Sequence, residues 1–180
     1  RLGMAADFGV EGLDPKSLKF SWEKGVKRSE RIVRRLTKGV EYLLKKNNVE
    51  IIIGTASVEA ADTVVVDNRM LKAKNIIIAT GSYPRPLPFK VGDESRIINL
   101  ENMFSQKEIP QKFLVVGEGP VAAEVTQMLA LIGRDVTLLK TSEKVFPAMD
   151  DYLNAYISKR FDSLKIKTLE GTAGYDSLNL

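Results

Sequence analysis

Apolar positions along this chain recur with two different periods, and the alternation between them sets out the expected elements. Between residues 24 and 46, Val26, Val33, Leu36, Val40, Leu43 and Leu44 return at three- and four-residue intervals, which predicts one long helix with a single apolar stripe. Residues 49–53 then form a short β-branched run expected to be a buried strand, followed by a turn or bulge at Gly54, Thr55 and Ala56. Residues 63–66 and the pair Met70 and Leu71 flank Asp67 and Asn68, which predicts a hairpin and, with its neighbours, a small β-meander. Residues 76–79 read as another strand, ending abruptly in Thr80, Gly81 and Ser82, small residues whose backbone can approach a ligand closely.

Three prolines at 84, 86 and 88 stiffen the next segment and remove three backbone donors, so the chain there suits neither a helix nor a central strand. A domain boundary is expected near them, dividing residues 1–90 from 91–180. Past a short helix expected around 101–106, the apolar run 113–116 breaks into Gly117-Glu118-Gly119-Pro120-Val121-Ala122 and opens a helix. Val121, Val125, Met128, Leu129 and Ile132 carry the helical period, Gly133 ends it, and residues 136–139 supply a second buried strand. A helix from Asp150 and Asp151 to Phe161 and a strand over 166–169 complete the pattern. The order strand, helix, strand, helix, strand predicts an α/β fold with a parallel sheet, a Rossmann-like three-layer nucleotide-binding domain.

The GxGxxA turn carries the chemistry. Gly117 lets the chain leave the strand sharply, Gly119 removes the side chain that would block a phosphate, and Ala122 lets the helix pack close to the strand. The positive end of the helix then faces the anion. Such turns also occur for packing alone; the complete βαβ context is what makes this one a candidate dinucleotide site.

Composition narrows the picture further. The 180 residues contain no cysteine and no histidine, which removes disulfides, thiolate metal sites and the commonest proton shuttle from this chain's own side chains. No metal site and no catalytic residue are therefore expected here. The longest apolar runs are too short to cross a bilayer and no signal peptide is evident, so a cytoplasmic location without a membrane partner is expected. The net charge of +4 is uneven: Lys24, Lys27, Arg28, Arg31, Arg34, Arg35, Lys38, Lys45 and Lys46 crowd the first helix against Glu23, Glu30 and Glu41. Without aromatic interleaving, that face reads as a solvated surface in preference to a nucleic-acid or polyanion site.

The order basic helix, short strands, Ile76-Ile77-Ile78-Ala79-Thr80-Gly81-Ser82, proline connector and GxGxxA with Glu124 resembles the pyridine nucleotide-disulfide oxidoreductases, and within them the dihydrolipoamide dehydrogenases. The resemblance runs from about residue 19 to 161 and includes Lys144-Val145-Phe146-Pro147. It implies that residues 1–90 are the later part of an FAD-binding domain and 91–180 most of an NAD(P)-binding domain. Ala56, Thr80, Gly81 and Ser82 would contact FAD; Gly117, Gly119, Val121 and Ala122 would hold the nicotinamide nucleotide's pyrophosphate; Glu124 would orient its carboxamide. The implied reaction passes hydride between nicotinamide and flavin, with the flavin exchanging electrons with a dithiol.

Members of that family also carry a first GxGxxG for FAD, a redox-active cysteine pair, and a C-terminal dimerisation domain with a His-Glu pair. None of these occurs in this sequence, so the resemblance implies a piece of a longer, homodimeric enzyme, inactive by itself and with uncovered sheet edge. A standalone dinucleotide-binding or redox-sensing module is the alternative. The choice between NAD and NADP turns on Lys140, which stands at the end of the second strand where NAD enzymes place an acid for the ribose 2′-hydroxyl. A cation there, with Ala122 in place of glycine, favours NADP; Glu143 reaching back toward the ribose would favour NAD. Both remain open from sequence.

Overall fold

The computed structural model describes residues 8–12, 14, 17–84 and 93–171. The chain divides into two compact units, Arg1–Gly25 with Ser105–Leu180, and Val26–Phe104. The expected boundary at the prolines lies, beyond Pro84, outside the described residues.

In the second unit, α1 (Trp22–Lys46) continues from its first turn, Glu23 near its positive end and Lys45 and Lys46 at its negative end, as the helix dipole favours. Its apolar stripe is the expected one, yet Val33, Leu36, Val40 and Leu43 are all more than half exposed. A shallow open groove of about 460 Å3 follows this helix, lined by Val26, Val33, Arg34 and Phe104 among others, and none of the candidate site residues lines it.

The meander is present: β1 (Ala56–Ala60), β2 (Thr63–Val66) and β3 (Arg69–Lys72) form an antiparallel sheet in chain order. The β2–β3 pairing is regular from Thr63 opposite Lys72 to Val66 opposite Arg69, and Asp67 takes the left-handed conformation (φ 51°) that this two-residue turn requires. Asp67 Oδ1 also accepts the Thr55 amide at 3.1 Å, pinning the approach to β1.

Two expected strands do not form. Residues 49–53 and 76–79 have no ladder partner among the described residues, and Ile53, Ile77 and Ile78 are 88, 90 and 72 % exposed. A strand is defined by backbone pairing, and an apolar run specifies burial without supplying a neighbour. The turn expected at Gly54, Thr55 and Ala56 is shorter, since Ala56 already opens β1. The short helix expected at 101–106 is α2 (Leu100–Met103), closed by a reciprocal pair in which Asn99 and Asn102 each accept the other's amide.

The first unit holds the parallel sheet, in the order β4 (Lys112–Val116), β5 (Asp135–Lys140), β6 (Lys167–Glu170). Phe113 lies opposite Val136 and Leu138 opposite Thr168, so β5 is central and β4 pairs, among the described residues, with β5 alone. Two crossover helices connect the strands, α3 (Pro120–Leu131) and α4 (Asp151–Ser163). They meet the sheet in one core of Ala122, Leu138, Val145, Phe161 and Ile166, where Leu138 is fully buried and contributes about 1.5–3 kcal/mol. Helix α3 ends as its sequence suggests, with Gly133 at φ 84° directly after the C-cap Ile132. Asp150 caps α4 by accepting the Leu153 amide at 2.8 Å. Also in this unit, Trp22 is buried and its indole donates to the Gln106 carbonyl at 2.9 Å.

Candidate dinucleotide site

The GxGxxA residues lie where β4 turns into α3. Gly117 adopts φ 143° and Gly119 φ 97°, conformations that residues with a Cβ rarely take. Conformation, not crowding, requires glycine here: a Cβ on Gly117 would stand 3.5 Å from Ala122 Cβ, and one on Gly119 4.0 Å from the nearest Phe146 ring atom. The turn is tied to the sheet by the Gly117 amide, which donates to Leu139 O at 3.0 Å.

Gly119 is the N-cap of α3 and makes no side-chain capping bond, and Pro120 at the next position has no N–H. The backbone donors at the helix start are therefore those of Val121 and Ala122, ahead of the first helical bond from Ala123 to Gly119 O. Glycines at positive φ, a helix positive end and two amides without helical acceptors fit a phosphate. Glu124 is exposed on the second turn of the same helix.

The segment after β5 folds over this turn. Val145 O accepts the Gly119 amide at 3.0 Å, with Val145 itself 3 % exposed. Asn154, buried on α4, holds the segment from beneath: its Oδ1 accepts the Phe146 amide at 2.9 Å, and its Nδ2 faces the carbonyls of Phe146, Met149 and Asp150 at 2.9, 3.1 and 3.1 Å. Lys144 Nζ stands 2.6 Å from Asp151, whose carboxylate raises the lysine pKa while the ammonium lowers that of Asp151.

Lys140 is at the end of β5, but its side chain is only 8 % exposed. Its ammonium donates to the carbonyls of Ser142 and Glu143 at 2.7 and 2.6 Å, with Glu170 Oε2 at 3.5 Å. At the same place lies a carboxylate that the sequence did not single out. Glu118, between the two glycines, accepts from Ser142 Oγ at 2.8 Å and Thr141 Oγ1 at 3.0 Å. The Ser142 hydroxyl holds its pKa below the ordinary 4.5 against a smaller opposing effect of burial, with a lesser lowering from the Thr141 hydroxyl.

Thus the structure brings Gly117, Gly119, Val121, Ala122, Glu124 and Lys140 into one unit around the β4–α3 turn and the end of β5. The four residues nominated for FAD, Ala56, Thr80, Gly81 and Ser82, fall in the other unit, all exposed, with Gly81 at φ 78° and open space where its Cβ would be. Glu118 and Asn154 were missed. A residue between two glycines carries no periodic signal, and Asn154 looks in sequence like any polar position of a surface helix.

Among the described residues no group of histidine, cysteine or acidic side chains could hold a metal ion, and no helix is long and apolar enough to cross a membrane.

Known proteins resemble this chain. The chain is 32 % identical over 168 residues to a dihydrolipoyl dehydrogenase of Acholeplasma laidlawii, covering 90 % of this chain and 49 % of that protein. It is 32 % identical over 151 residues to a dihydrolipoyl dehydrogenase of Bacillus subtilis, covering 82 % and 33 %. It is also 34 % identical over 167 residues to a dihydrolipoamide dehydrogenase of Chaetomium thermophilum, covering 89 % and 33 %. The chain thus spans a third to a half of the length of these relatives. Its fold is shared with the crystal structure of LpdA from Mycobacterium tuberculosis, at a TM-score of 0.73 and 18 % identity, over 94 % of this chain and 39 % of that one. A profile of the pyridine nucleotide-disulphide oxidoreductases matches residues 7–174, both units included, and the chain belongs to that family.

Proposed function

We propose that this chain is the dinucleotide-binding portion of a flavin-dependent disulfide oxidoreductase of the dihydrolipoamide dehydrogenase kind. The observation that carries the proposal is the strand-to-helix turn, with Gly117 and Gly119 at positive φ and the amides of Val121 and Ala122 at the helix start. In this reading those four residues hold the pyrophosphate of NAD(P), and Glu124 accepts from the nicotinamide carboxamide. Ala56, Thr80, Gly81 and Ser82 present backbone to FAD. The bound cofactors supply hydride transfer, and this chain's residues bind and orient them.

With no cysteine and no histidine, the chain's own side chains offer neither a thiol for disulfide exchange nor an imidazole base. The whole reaction therefore draws on residues beyond these 180, and the chain by itself is inactive. The same composition favours a second reading, a dinucleotide-binding or redox-sensing module in which the nucleotide changes assembly and is not oxidised.

Isothermal titration of the purified chain with NADH and NADPH tests the shared core of both readings. Saturable binding of at least one is expected; no heat from either at millimolar concentration, in a sample with native circular dichroism, refutes it. Size-exclusion with and without nucleotide then separates the readings, since only the sensing module changes its assembly.

A further inference from the structure

We infer that Glu118 serves as the ribose-reading acid of this site, in place of the residue at the end of β5, and that it selects NAD over NADP. The inference rests on the dinucleotide reading above and identifies which coenzyme that site takes.

An acid at the end of the second strand hydrogen-bonds the adenosine ribose 2′-hydroxyl in NAD sites. Here that position is Lys140, and an available ammonium would instead suit a 2′-phosphate. This ammonium is not available. It is buried, and its three hydrogens face Ser142 O, Glu143 O and Glu170 Oε2. Moving it toward a ligand would break two short hydrogen bonds and leave both loop carbonyls without their donor.

Glu118 stands in the vacated role. Its carboxylate is fixed by Ser142 and Thr141, the two residues that directly follow Lys140, so it lies against the end of β5 while its own backbone belongs to the phosphate turn. Ser142 Oγ is also 2.9 Å from Lys144 O, but its single proton goes to the charged acceptor, which binds it more strongly. Both hydroxyls that could donate to a 2′-phosphate are thereby spent on Glu118. The carboxylate is exposed and ionised, with its pKa depressed, and has lone pairs left to accept from a 2′-hydroxyl.

The remaining charges point the same way. Lys144, the other cation in the loop, is paired with Asp151 at 2.6 Å, while Glu170 adds negative charge beside Lys140 and Glu143 adds it beside Lys144. A 2′-phosphate at this position would meet Glu118 with no free cation in the described loop to offset the repulsion.

Titration of NADH and NADPH against the purified wild-type chain, E118Q and E118A, by nucleotide fluorescence, tests the inference, with circular dichroism confirming that each variant is folded. Wild type is expected to bind NADH at least about tenfold tighter than NADPH. The isosteric E118Q keeps an acceptor oxygen but loses the charge, so NADPH binding strengthens several-fold while NADH, left with a neutral acceptor, weakens by a smaller factor and the preference falls. E118A also frees Ser142 and Thr141 and weakens NADH, so the preference falls to near unity. Equal affinities in wild type, a preference for NADPH, or the same ratio in E118Q as in wild type would overturn the role given to Glu118 while leaving the dinucleotide site standing. Absence of binding by either nucleotide to folded wild-type chain would remove the site and the inference together.

Discussion

Asn154→Ala tests how the loop over the glycine turn is held. The side chain is 6 % exposed and makes both bonds of a two-way exchange with Phe146, accepting its amide and donating to its carbonyl, each at 2.9 Å. Its second Nδ2 hydrogen is shared between Met149 O and Asp150 O. After the substitution Asp150 O keeps the Asn154 backbone amide and Phe146 O keeps the Met149 amide, so the groups stranded are the Phe146 amide and, in part, Met149 O. With about 1 kcal/mol for each lost bond, and up to 1–3 kcal/mol for a group left dry, the loss is about 3 kcal/mol. Urea unfolding followed by the single tryptophan, Trp22, which lies in the same unit, reads this directly. In a thermal scan it corresponds to a drop of about 6–12 °C for a chain of this size. Asn154→Asp, which keeps the shape but cannot donate to any of the three carbonyls, should be at least as harmful. A change below about 0.5 kcal/mol in both variants, the ordinary range for surface substitutions, would refute the assignment of Asn154 as the loop's anchor.

Other substitutions probe neighbouring features. Thr126 is fully buried on α3 and its hydroxyl has no hydrogen-bond partner among the described residues, so Thr126→Val should stabilise the chain by about 1 kcal/mol in the same urea assay. Gly119→Ala has room for its methyl but not the backbone conformation, so it should cost about 1–3 kcal/mol of stability and weaken NADH as well. Acid titration probes Glu118. Because its folded pKa is depressed, its contribution to stability is complete above pH 4.5 and drains away as pH falls through the lower folded value. Replacing it with the non-titrating glutamine should flatten the acid limb of the stability profile, and identical limbs for the two proteins would count against the Ser142 and Thr141 bonds.

Much of the fold was legible because local rules agreed with one another. Pro120, the helical period of 121–132 and Gly133 fixed α3, and the Asp67-Asn68 pair fixed the β2–β3 hairpin. The failures have a common physical cause. Residues 49–53 and 76–79 are apolar and β-branched, so their pattern asks for a sheet, but pairing depends on a second backbone that no local pattern contains. The stripe on α1 likewise shows which face the helix would bury, not what would cover it. At the site, the glycines announced themselves through their spacing. Lys140 did not reveal that its ammonium turns back into its own loop, because rotamer and partner are decided by the fold of residues 141–145, which have no period.

The free side of β4 has a bearing on the turn it launches. Among the described residues the strand that delivers Gly117 is bordered by a neighbour on one flank, β5, and its end is steadied through the Gly117 bond to Leu139. Any backbone that docks along the open flank would quieten the strand, and with it the two glycines, before a nucleotide arrives. If the turn holds a nucleotide as proposed, thermodynamic reciprocity demands that the bound nucleotide favour the docking to the same degree. Strand addition and the proposed coenzyme capture would then be, at this corner of the molecule, two readings of a single stiffness.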